Sequence, residues 1–169
     1  MSLNPHTGLP KGWKIKISKT HNQEYYYNPS TSESIWTPPE GTDKDALDLY
    51  LSKNLHKPKK VAARHILVKH RDSRRPSSWK EQNITLTKEE AVELIKGYKA
   101  QIESGEASFE EIASKHSDCS SHSKNGDLGY FGPGEMQPSF EKAAFGLQVG
   151  ELSDVVESDS GIHLIERTG

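Results

Sequence analysis

The run Val61-Ala62-Ala63-Arg64-His65-Ile66-Leu67-Val68, at residues 61–68, is the strongest structural signal in the chain. Its mostly apolar side chains predict a β-strand. Two further strand candidates, Val155-Val156 and residues 162–167, lie near the C-terminus, and helical segments separate them from the first. Strands separated by helices in this way are typical of an α+β domain, which we predict for residues 61–169.

The sequence predicts three helices in this domain, two of them from capping residues. Thr87-Lys88-Glu89-Glu90 and Ser108-Phe109-Glu110-Glu111 are capping boxes, each of which opens a helix. Gly105 closes the first helix, the second runs toward His116, and a short third helix spans residues 139–145. The first helix has an apolar face that consists of Ala91, Leu94, Ile95, Tyr98 and Ile102. A turn-rich stretch precedes the third helix and is marked by Gly126, Gly129, Gly132 and Gly134.

Residues 9–39 form a separate and much smaller module. Lys14-Ile15-Lys16-Ile17 alternates polar and apolar residues, Glu24-Tyr25-Tyr26-Tyr27-Asn28 is aromatic, and Ser34-Ile35-Trp36 is short, so we predict three strands joined by polar turns. Three strands in about 30 residues enclose little core, so packing between the two ends of the module is needed to stabilise it. One apolar cluster can do this: Leu9, Pro10, Trp13, Tyr26 and Pro39. Tyr25 and Trp36 then fall on the opposite face, where exposure is costly unless they bind a ligand.

The remaining segments are a tail at residues 1–8 and a linker at residues 40–60. Helical spacing predicts a helix near residues 43–55, with Thr42 as its N-cap and Pro58 beyond its end. The apolar positions of this helix are Ala46, Leu47, Leu49, Tyr50, Leu51 and Leu55. A helical linker would restrict the relative movement of the two modules, and the alternative is a loosely ordered polar linker.

Composition excludes several classes of protein. Of the 169 residues, 32% are hydrophobic and 27% are charged, and no apolar run has the 18 or so residues that a membrane span needs. Residues 1–10 lack the pattern of a signal peptide. Cys119 is the single cysteine and has no partner for an internal disulfide, so we expect a reducing intracellular compartment.

Positive charge is concentrated in residues 57–75, which contain eight Lys or Arg and one acid in a chain of net charge -2. A basic segment in an acidic chain indicates a local anionic ligand, whereas a nucleic-acid binder is usually basic as a whole. Within it, Lys57-Pro58-Lys59-Lys60 is either a weak nuclear signal or a solvated run of charge.

Two families are recognisable from motifs. Leu9-Pro10-x-Gly12-Trp13, the aromatic segment at residues 25–28 and Trp36-x-x-Pro39 resemble a WW domain. The C-terminal domain resembles the parvulin family of peptidyl-prolyl isomerases in five motifs, Ala63-Arg64-His65-Ile66-Leu67-Val68-Lys69-His70, Phe109-Glu110-Glu111-Ile112-Ala113, Ser117-Asp118-Cys119-Ser120-Ser121, Gly126-Asp127-Leu128-Gly129-Tyr130-Phe131 and Ser160-Gly161-Ile162-His163-Leu164-Ile165. The segment Ser73-Arg74-Arg75-Pro76-Ser77-Ser78-Trp79 resembles the phosphate-specific branch.

The resemblance implies a fold and a reaction. The fold is a three-stranded antiparallel WW sheet plus an α+β domain with a four-stranded, mainly antiparallel sheet and about four helices. The reaction is cis/trans isomerisation of phospho-Ser/Thr-Pro bonds, which needs no cofactor and no metal. The WW domain would bind the same phosphorylated motifs.

The resemblance also assigns site residues. The catalytic group comprises His65, Cys119, His163 and Ser160, with Ser158 close by. The phosphate-binding group comprises Lys69, Arg74 and Arg75. The proline pocket comprises Leu128, Met136, Gln137 and Phe140. The WW ligand site comprises Ser18, Lys19, Tyr25 and Trp36, with Lys16 as a helper.

Other interpretations of these residues stay open at this stage. The pocket residues are also typical of ordinary core, and the basic loop of a solvated surface. Cys119 with His65 and His163 is compatible with a Cys–His nucleophile pair or with a zinc site. Rotation about an amide needs no covalent intermediate, however, and the sequence has no local metal-ligand spacing. Our hypothesis is a hydrogen-bonded imidazole pair that orders the site, with the Cys119 thiol or thiolate beside the substrate carbonyl.

Two other functions compete with the isomerase. One is a phosphopeptide-binding adaptor without turnover, and the other is a nucleic-acid binder that uses residues 57–75. We expect a monomer that acts in the nucleus and cytoplasm on proteins phosphorylated at Ser/Thr-Pro, such as the RNA polymerase II tail. We expect neither nucleic acid nor membrane as a partner.

Overall fold

The computed structural model describes residues 3–169, which form two compact units that divide between Pro58 and Lys59. Each unit has its own sheet, one of three strands and one of four. None of the helices within residues 3–169 combines the length and the apolar character that crossing a bilayer demands.

The first unit is built on a three-stranded antiparallel sheet. Strand β1 (Lys14–Ser18) pairs with β2 (Gln23–Asn28), which pairs with β3 (Glu33–Ile35). The predicted WW sheet is therefore confirmed. Trp36 follows the third strand and does not lie within it.

One face of this sheet carries the core of the unit. Leu9 and Tyr26 are buried there, and Trp13 packs against them. The predicted apolar cluster is thus found, and its two prolines, Pro10 and Pro39, are buried as well. Trp36 is half exposed, at 50%, as expected for the opposite face.

Helix α1 (Lys44–Ser52) completes the core of the first unit, because its Leu47 packs with Leu9 and Tyr26. Asp43, and not the predicted Thr42, is the N-cap, and its carboxylate accepts a hydrogen bond from the Ala46 N–H at 3.2 Å. The Thr42 hydroxyl instead donates to the Pro39 carbonyl at 2.6 Å. A carboxylate in this position also interacts favourably with the helix dipole.

The second unit is built on an antiparallel sheet in the order β5-β4-β7-β6. Its strands are β4 (Val61–Val68), β5 (Asp127–Phe131), β6 (Val156–Ser158) and β7 (Gly161–Arg167). The run at residues 61–68 is therefore a central strand of this sheet. The stretch predicted to be rich in turns, marked by Gly126, Gly129, Gly132 and Gly134, also contains β5, an edge strand that tolerates glycine where its pairing with β4 is irregular.

Three helices cover the sheet: α2 (Lys88–Ser104), α3 (Phe109–His116) and α4 (Pro138–Phe145). A 3₁₀ helix, Ser120–Lys124, lies between α3 and β5. The capping box of Thr87 and Glu90 is present, and Gly105 ends α2 in the left-handed conformation. Leu94 departs from the predicted apolar face, since its side chain is 39% exposed.

Alternation along β4 and β7 sorts their side chains between two cores. Ile66 and Leu164 belong to the core with α2 and α3. Val61, Ala63 and Ile165 belong to the core with α4. Because the side-chain period of a strand is two, His65 on β4 and His163 on β7 point to the α4 face. The fold thus brings two histidines together.

Backbone packing near His65 generates a first prediction. Gly126 has a positive φ of 86°, and a Cβ there would overlap the His65 carbonyl oxygen and lie 3.1 Å from the Ala113 Cβ. We expect Gly126→Ala to lower the free energy of unfolding by about 2–4 kcal/mol, measured by chemical denaturation.

The matched control is Gly97, which lies on the exposed side of α2 with no atom within 4 Å of an added Cβ. Gly97→Ala should raise the free energy of unfolding by about 0.5–1 kcal/mol. Equal effects of the two substitutions would contradict the packing around Gly126.

Candidate active site

A pair of buried imidazoles lies at the centre of the candidate site. The Nδ1 atoms of His65 and His163 are 3.0 Å apart, and the two rings stack with centroids 5.2 Å apart. The Nε2 atom of His163 is 2.6 Å from the Ser158 hydroxyl oxygen. Since the two Nδ1 atoms face each other, one donates and the other accepts. The pair therefore shares a single proton between its Nδ1 atoms.

Both imidazoles are neutral near pH 7. Burial lowers the pKa of His65 to about 4. Burial, and secondarily the charge that His65 would carry, lowers the pKa of His163 to about 3. Within residues 3–169, the buried His65 Nε2 has no hydrogen-bond partner. The centre of the site is thus buried and uncharged.

Apolar side chains border the imidazole pair. The Phe140 ring packs edge-on against His65 and His163, with centroid distances of 5.4 Å and 5.2 Å. Leu128 and Met136 are partly buried and pack against the same core as Phe140. Phe140 is therefore core as well as a candidate pocket wall, while Leu128 and Met136 remain accessible to a ligand.

Gln137 links α4 to the turn between β6 and β7. Its amide Nε2 donates to the Ser160 hydroxyl at 2.9 Å, and its Oε1 accepts from the Asp159 N–H at 3.0 Å. The Ser160 N–H in turn donates to the Ser158 hydroxyl at 3.2 Å. Within residues 3–169, Ser160 is thus connected to His163 through Ser158, which the sequence analysis places near the catalytic group without a role of its own.

Cys119 lies at the start of the 3₁₀ helix and is partly buried. Its sulfur accepts a hydrogen bond from the Ser121 N–H at 3.5 Å. In the part of the chain that is described, the thiol makes no hydrogen bond to either imidazole, which a Cys–His nucleophile pair would need. The same residues contain no group of three or more His, Cys, Asp or Glu that could hold a metal ion.

The two residues before Cys119 attach it to the end of β4. The Asp118 N–H donates to the Leu67 carbonyl at 2.7 Å, and the Leu67 N–H donates to the Ser117 hydroxyl at 3.0 Å. Leu67 is two positions after His65, so the segment that carries Cys119 joins the strand that carries His65. In the sequence, the motif Ser117-Asp118-Cys119 is the signal for these residues, and it does not indicate their bonds to Leu67.

The predicted phosphate-binding residues lie on residues 69–80, which we call the cationic loop. The Lys69 ammonium donates to the Ser77 carbonyl at 2.8 Å, so it also holds the loop together. Arg74 and Arg75 are exposed, and neither side chain has an ion pair or hydrogen bond within residues 3–169. The Arg74 N–H donates to the Asp159 carbonyl at 2.9 Å. The loop therefore lies against the turn that carries Ser160.

The basic segment predicted at residues 57–75 does not form one surface patch. Arg64 pairs with Glu110 and with Glu166, and its guanidinium lies 4.8 Å from the centre of the Phe109 ring. Strand alternation directs Arg64 to the α2 and α3 side of the sheet. Arg64 is accordingly not available to a ligand, whereas Arg74 and Arg75 of the cationic loop are exposed.

The first unit contains a groove of about 510 Å³ on the exposed face of its sheet. The predicted ligand residues Ser18, Lys19, Tyr25 and Trp36 all line it. The Tyr25 and Trp36 rings meet edge-on with centroids 5.9 Å apart. Lys16 is not among the lining residues, and its ammonium lies 5.3 Å from the centre of the Tyr27 ring.

Comparison with known proteins shows the family. Residues 65–169 match the model of the PPIC-type peptidyl-prolyl isomerase domain, and residues 9–39 match that of the WW domain. The chain belongs to the parvulin family of peptidyl-prolyl cis-trans isomerases. It is therefore an enzyme, and the interpretation as an adaptor without turnover is set aside.

The relatives that carry this assignment are similar over their whole length. Peptidyl-prolyl cis-trans isomerase ESS1 of Saccharomyces cerevisiae is 50% identical, over 96% of this chain and 95% of its own. Peptidyl-prolyl cis-trans isomerase pin1 of Schizosaccharomyces pombe is 48% identical, over 96% and 98%. The solved structure of the isomerase ESS1 from Candida albicans is 46% identical, covers 99% of this chain and 100% of its own, and has a TM-score of 0.76.

Proton linkage at the imidazole pair of this isomerase generates a second prediction. In an unfolded chain His takes up a proton near pH 6.5, whereas folded His65 does so at about pH 4. Between these values the unfolded state binds more protons, so the free energy of unfolding falls as pH drops from 6.5 to 4. Thermal melting should therefore occur at lower temperature at pH 5 than at pH 7.

The variant His163→Gln should weaken this pH dependence, because it removes one of the two buried titrating groups. Exposed His6 is the control, and His6→Gln should melt like the unaltered protein at both pH values. If His163→Gln and the unaltered protein lose the same stability between pH 7 and pH 5, the imidazoles are not held neutral.

Proposed function

We propose that this isomerase acts on prolyl bonds that follow phosphorylated Ser or Thr, and that its WW groove binds the same motif. The observation that carries the proposal is the state of Arg74 and Arg75. Both are exposed and lack side-chain partners within residues 3–169, in a loop whose backbone is bonded beside Ser160. Two unpaired guanidinium groups next to a candidate proline pocket fit an anion that precedes proline.

Phosphate suits this loop better than a carboxylate does. A phosphorylated side chain carries about -1.5 to -2 charges at pH 7, and guanidinium binds its oxygens through two parallel charge-assisted hydrogen bonds. Lys69 adds a point charge at the start of the loop, although its ammonium already donates to the Ser77 carbonyl. This binding holds the N-terminal side of the amide while the proline ring occupies the apolar pocket.

Catalysis then follows from differential binding. Rotation of the amide passes through a twisted state about 18–20 kcal/mol above the ground state. No bond breaks, so the site has only to hold both sides and favour the twisted form. The pocket of Leu128, Met136 and Phe140 grips the ring, while the neutral imidazole pair supplies a rigid, uncharged floor. We assign to Cys119 a place beside the substrate carbonyl, where its sulfur disfavours charge on that oxygen and so weakens the amide resonance.

The WW groove binds an extended proline-containing peptide in this proposal. Tyr25 and Trp36 clamp the proline ring, and Ser18 with Lys19 receives the phosphate at the end of the same groove. Lysine lacks the fork of arginine, so phosphate recognition here relies on a point charge and on the Ser18 hydroxyl.

The proposed partners are proteins with several phospho-Ser/Thr-Pro sites, because two modules can then engage one chain together. The tail of RNA polymerase II, with its Ser-Pro repeats, is one such substrate. We propose action in the nucleus and cytoplasm as a monomer. Nucleic acid is disfavoured as a partner because Arg64, within the basic segment, is committed to Glu110 and Glu166.

A third prediction tests the phosphate clamp. Exchange between cis and trans is measured by NMR on one peptide with phospho-Ser-Pro and on its unphosphorylated twin. Arg74→Ala/Arg75→Ala should lower kcat/KM for the phosphorylated peptide about 100-fold, the effect of two lost charge-assisted hydrogen bonds. The rate for the twin should stay within about twofold.

The control for this test is Lys115→Ala/Lys124→Ala, which removes two exposed cations elsewhere in the same unit. It should leave both rates unchanged. A protein that isomerises the two peptides equally fast before any substitution does not recognise phosphate in its active site.

A fourth prediction concerns the WW groove alone. In the Arg74→Ala/Arg75→Ala background, phosphopeptide binding reports mainly on the first unit. Adding Trp36→Ala should weaken that binding at least about tenfold, because Trp36 is the half-exposed wall of the groove. Leu49, exposed on α1 outside the groove, gives the control Leu49→Ala, which should bind normally by fluorescence titration. Equal affinities of the two variants would exclude the groove.

A further inference from the structure

Trp79, near the end of the cationic loop, is restrained although its side chain is 49% exposed. Its ring stacks on the His122 imidazole with centroids 3.8 Å apart and planes 13° apart. Its indole N–H donates to the Ser117 carbonyl at 2.7 Å. An exposed tryptophan that makes both a stack and a directed hydrogen bond fixes the backbone that carries it.

The residues next to Trp79 are attached to the same place. The Ser78 hydroxyl donates to Asp118 Oδ1 at 2.9 Å. The Lys80 ammonium donates to the His116 carbonyl at 2.7 Å and lies 3.4 Å from Asp118 Oδ1. The side chains of Ser78, Trp79 and Lys80 are therefore each anchored on residues 116–122.

The beginning of the loop returns to the same carboxylate. The Lys69 N–H donates to Asp118 Oδ2 at 2.9 Å, and Asp118 is only 7% exposed. One buried carboxylate thus holds both ends of a loop whose middle carries Arg74 and Arg75. Charge-assisted hydrogen bonds of this kind are short and strongly directional.

Cys119 lies within the anchoring segment, between Asp118 and His122. His122 is itself oriented, because its Nδ1 is 3.3 Å from the Ser114 carbonyl, which can only accept. The cationic loop and the cysteine therefore belong to one connected assembly.

We propose that Trp79 and His122 are positioning residues, whose stack sets the place of Arg74 and Arg75 relative to Cys119 and thereby the preference for phosphorylated substrates. The proposal rests on the proposed function, since it assigns a structural cause to the phosphate selectivity of that site. Neither residue needs to touch the substrate.

The physical reason is the short distance between the two recognised groups. In a phospho-Ser-Pro substrate the phosphate and the proline ring belong to neighbouring residues. If Arg74 and Arg75 are displaced, they therefore cannot bind the phosphate while the proline ring occupies its pocket. Small misplacements of binding groups cost large factors in rate. An unphosphorylated substrate does not use the clamp and is indifferent to its position.

The test uses His122→Ala and the pair of matched peptides. We expect kcat/KM for the phosphorylated peptide to fall about threefold to tenfold, the size expected for one aromatic pair, and the rate for the twin to stay within about twofold. His122→Phe keeps an aromatic face against Trp79 and should retain at least about half of the original selectivity.

A matched control is available in the same unit. His116 stacks on Tyr98 with centroids 5.5 Å apart, so His116→Ala also removes an aromatic stack but leaves the anchoring backbone carbonyl in place. It should not alter the ratio of the two rates. Thermal melts of all variants show whether each is folded. If His122→Ala is not folded, the selectivity of His122→Phe is the measurement that decides.

Combination with Arg74→Ala/Arg75→Ala makes the decisive measurement. If His122 acts only through the clamp, adding His122→Ala to that double variant changes neither rate by more than about twofold. An additional loss equal to that in the unaltered background overturns the proposal, as does an equal loss for both peptides or no loss at all. If the double arginine variant keeps the full phosphate preference, the phosphate clamp itself is wrong, which is a separate result.

Discussion

The hydrogen bond between two buried, neutral imidazoles is the interaction on which the rest of the active site depends. His65 and His163 are on neighbouring central strands, and strand alternation turns both toward α4. Burial keeps them uncharged, which allows one Nδ1 to donate to the other at 3.0 Å. A charged imidazole would place two N–H groups against each other. The pair is thus a rigid wall and not an acid–base couple.

The imidazole pair connects the apolar pocket to the hydrogen-bonded residues Ser158, Ser160 and Gln137. Phe140 packs edge-on against both rings and joins the apolar pocket to them. From His163, hydrogen bonds continue through Ser158 to Ser160 and Gln137. A site that catalyses rotation without breaking a bond benefits from such rigidity, because it must hold both sides of the amide during rotation about the C–N bond.

The C-terminal end of β4 organises the remaining chemistry. Leu67 bonds to Ser117 and Asp118, so the Cys119 segment joins the sheet there, and the cationic loop begins two residues later at Lys69. Asp118 then ties the loop to the cysteine segment. One strand thereby positions an imidazole, a thiol and a set of cations. The WW groove is a separate binding surface, with its own sheet and core.

The fold classes, the strand Val61–Val68, the capped helices and the residue types at both sites could be predicted from the amino-acid sequence, because they follow from local periodicity, capping chemistry and family motifs. Sequence patterns misplaced the N-cap at Thr42, did not identify β5 as a strand and assigned Leu94 to the apolar face of its helix, since each depends on competition with neighbours that local patterns do not contain. Tertiary contacts were needed to show that Arg64 is neutralised by Glu110 and Glu166, while Arg74 and Arg75 stay exposed to a ligand. They were also needed to show that Ser158, and not Ser160, bonds to His163. Charge and hydrogen bonding act over a few ångströms in space, and residues that meet at that distance can be a hundred positions apart in the chain.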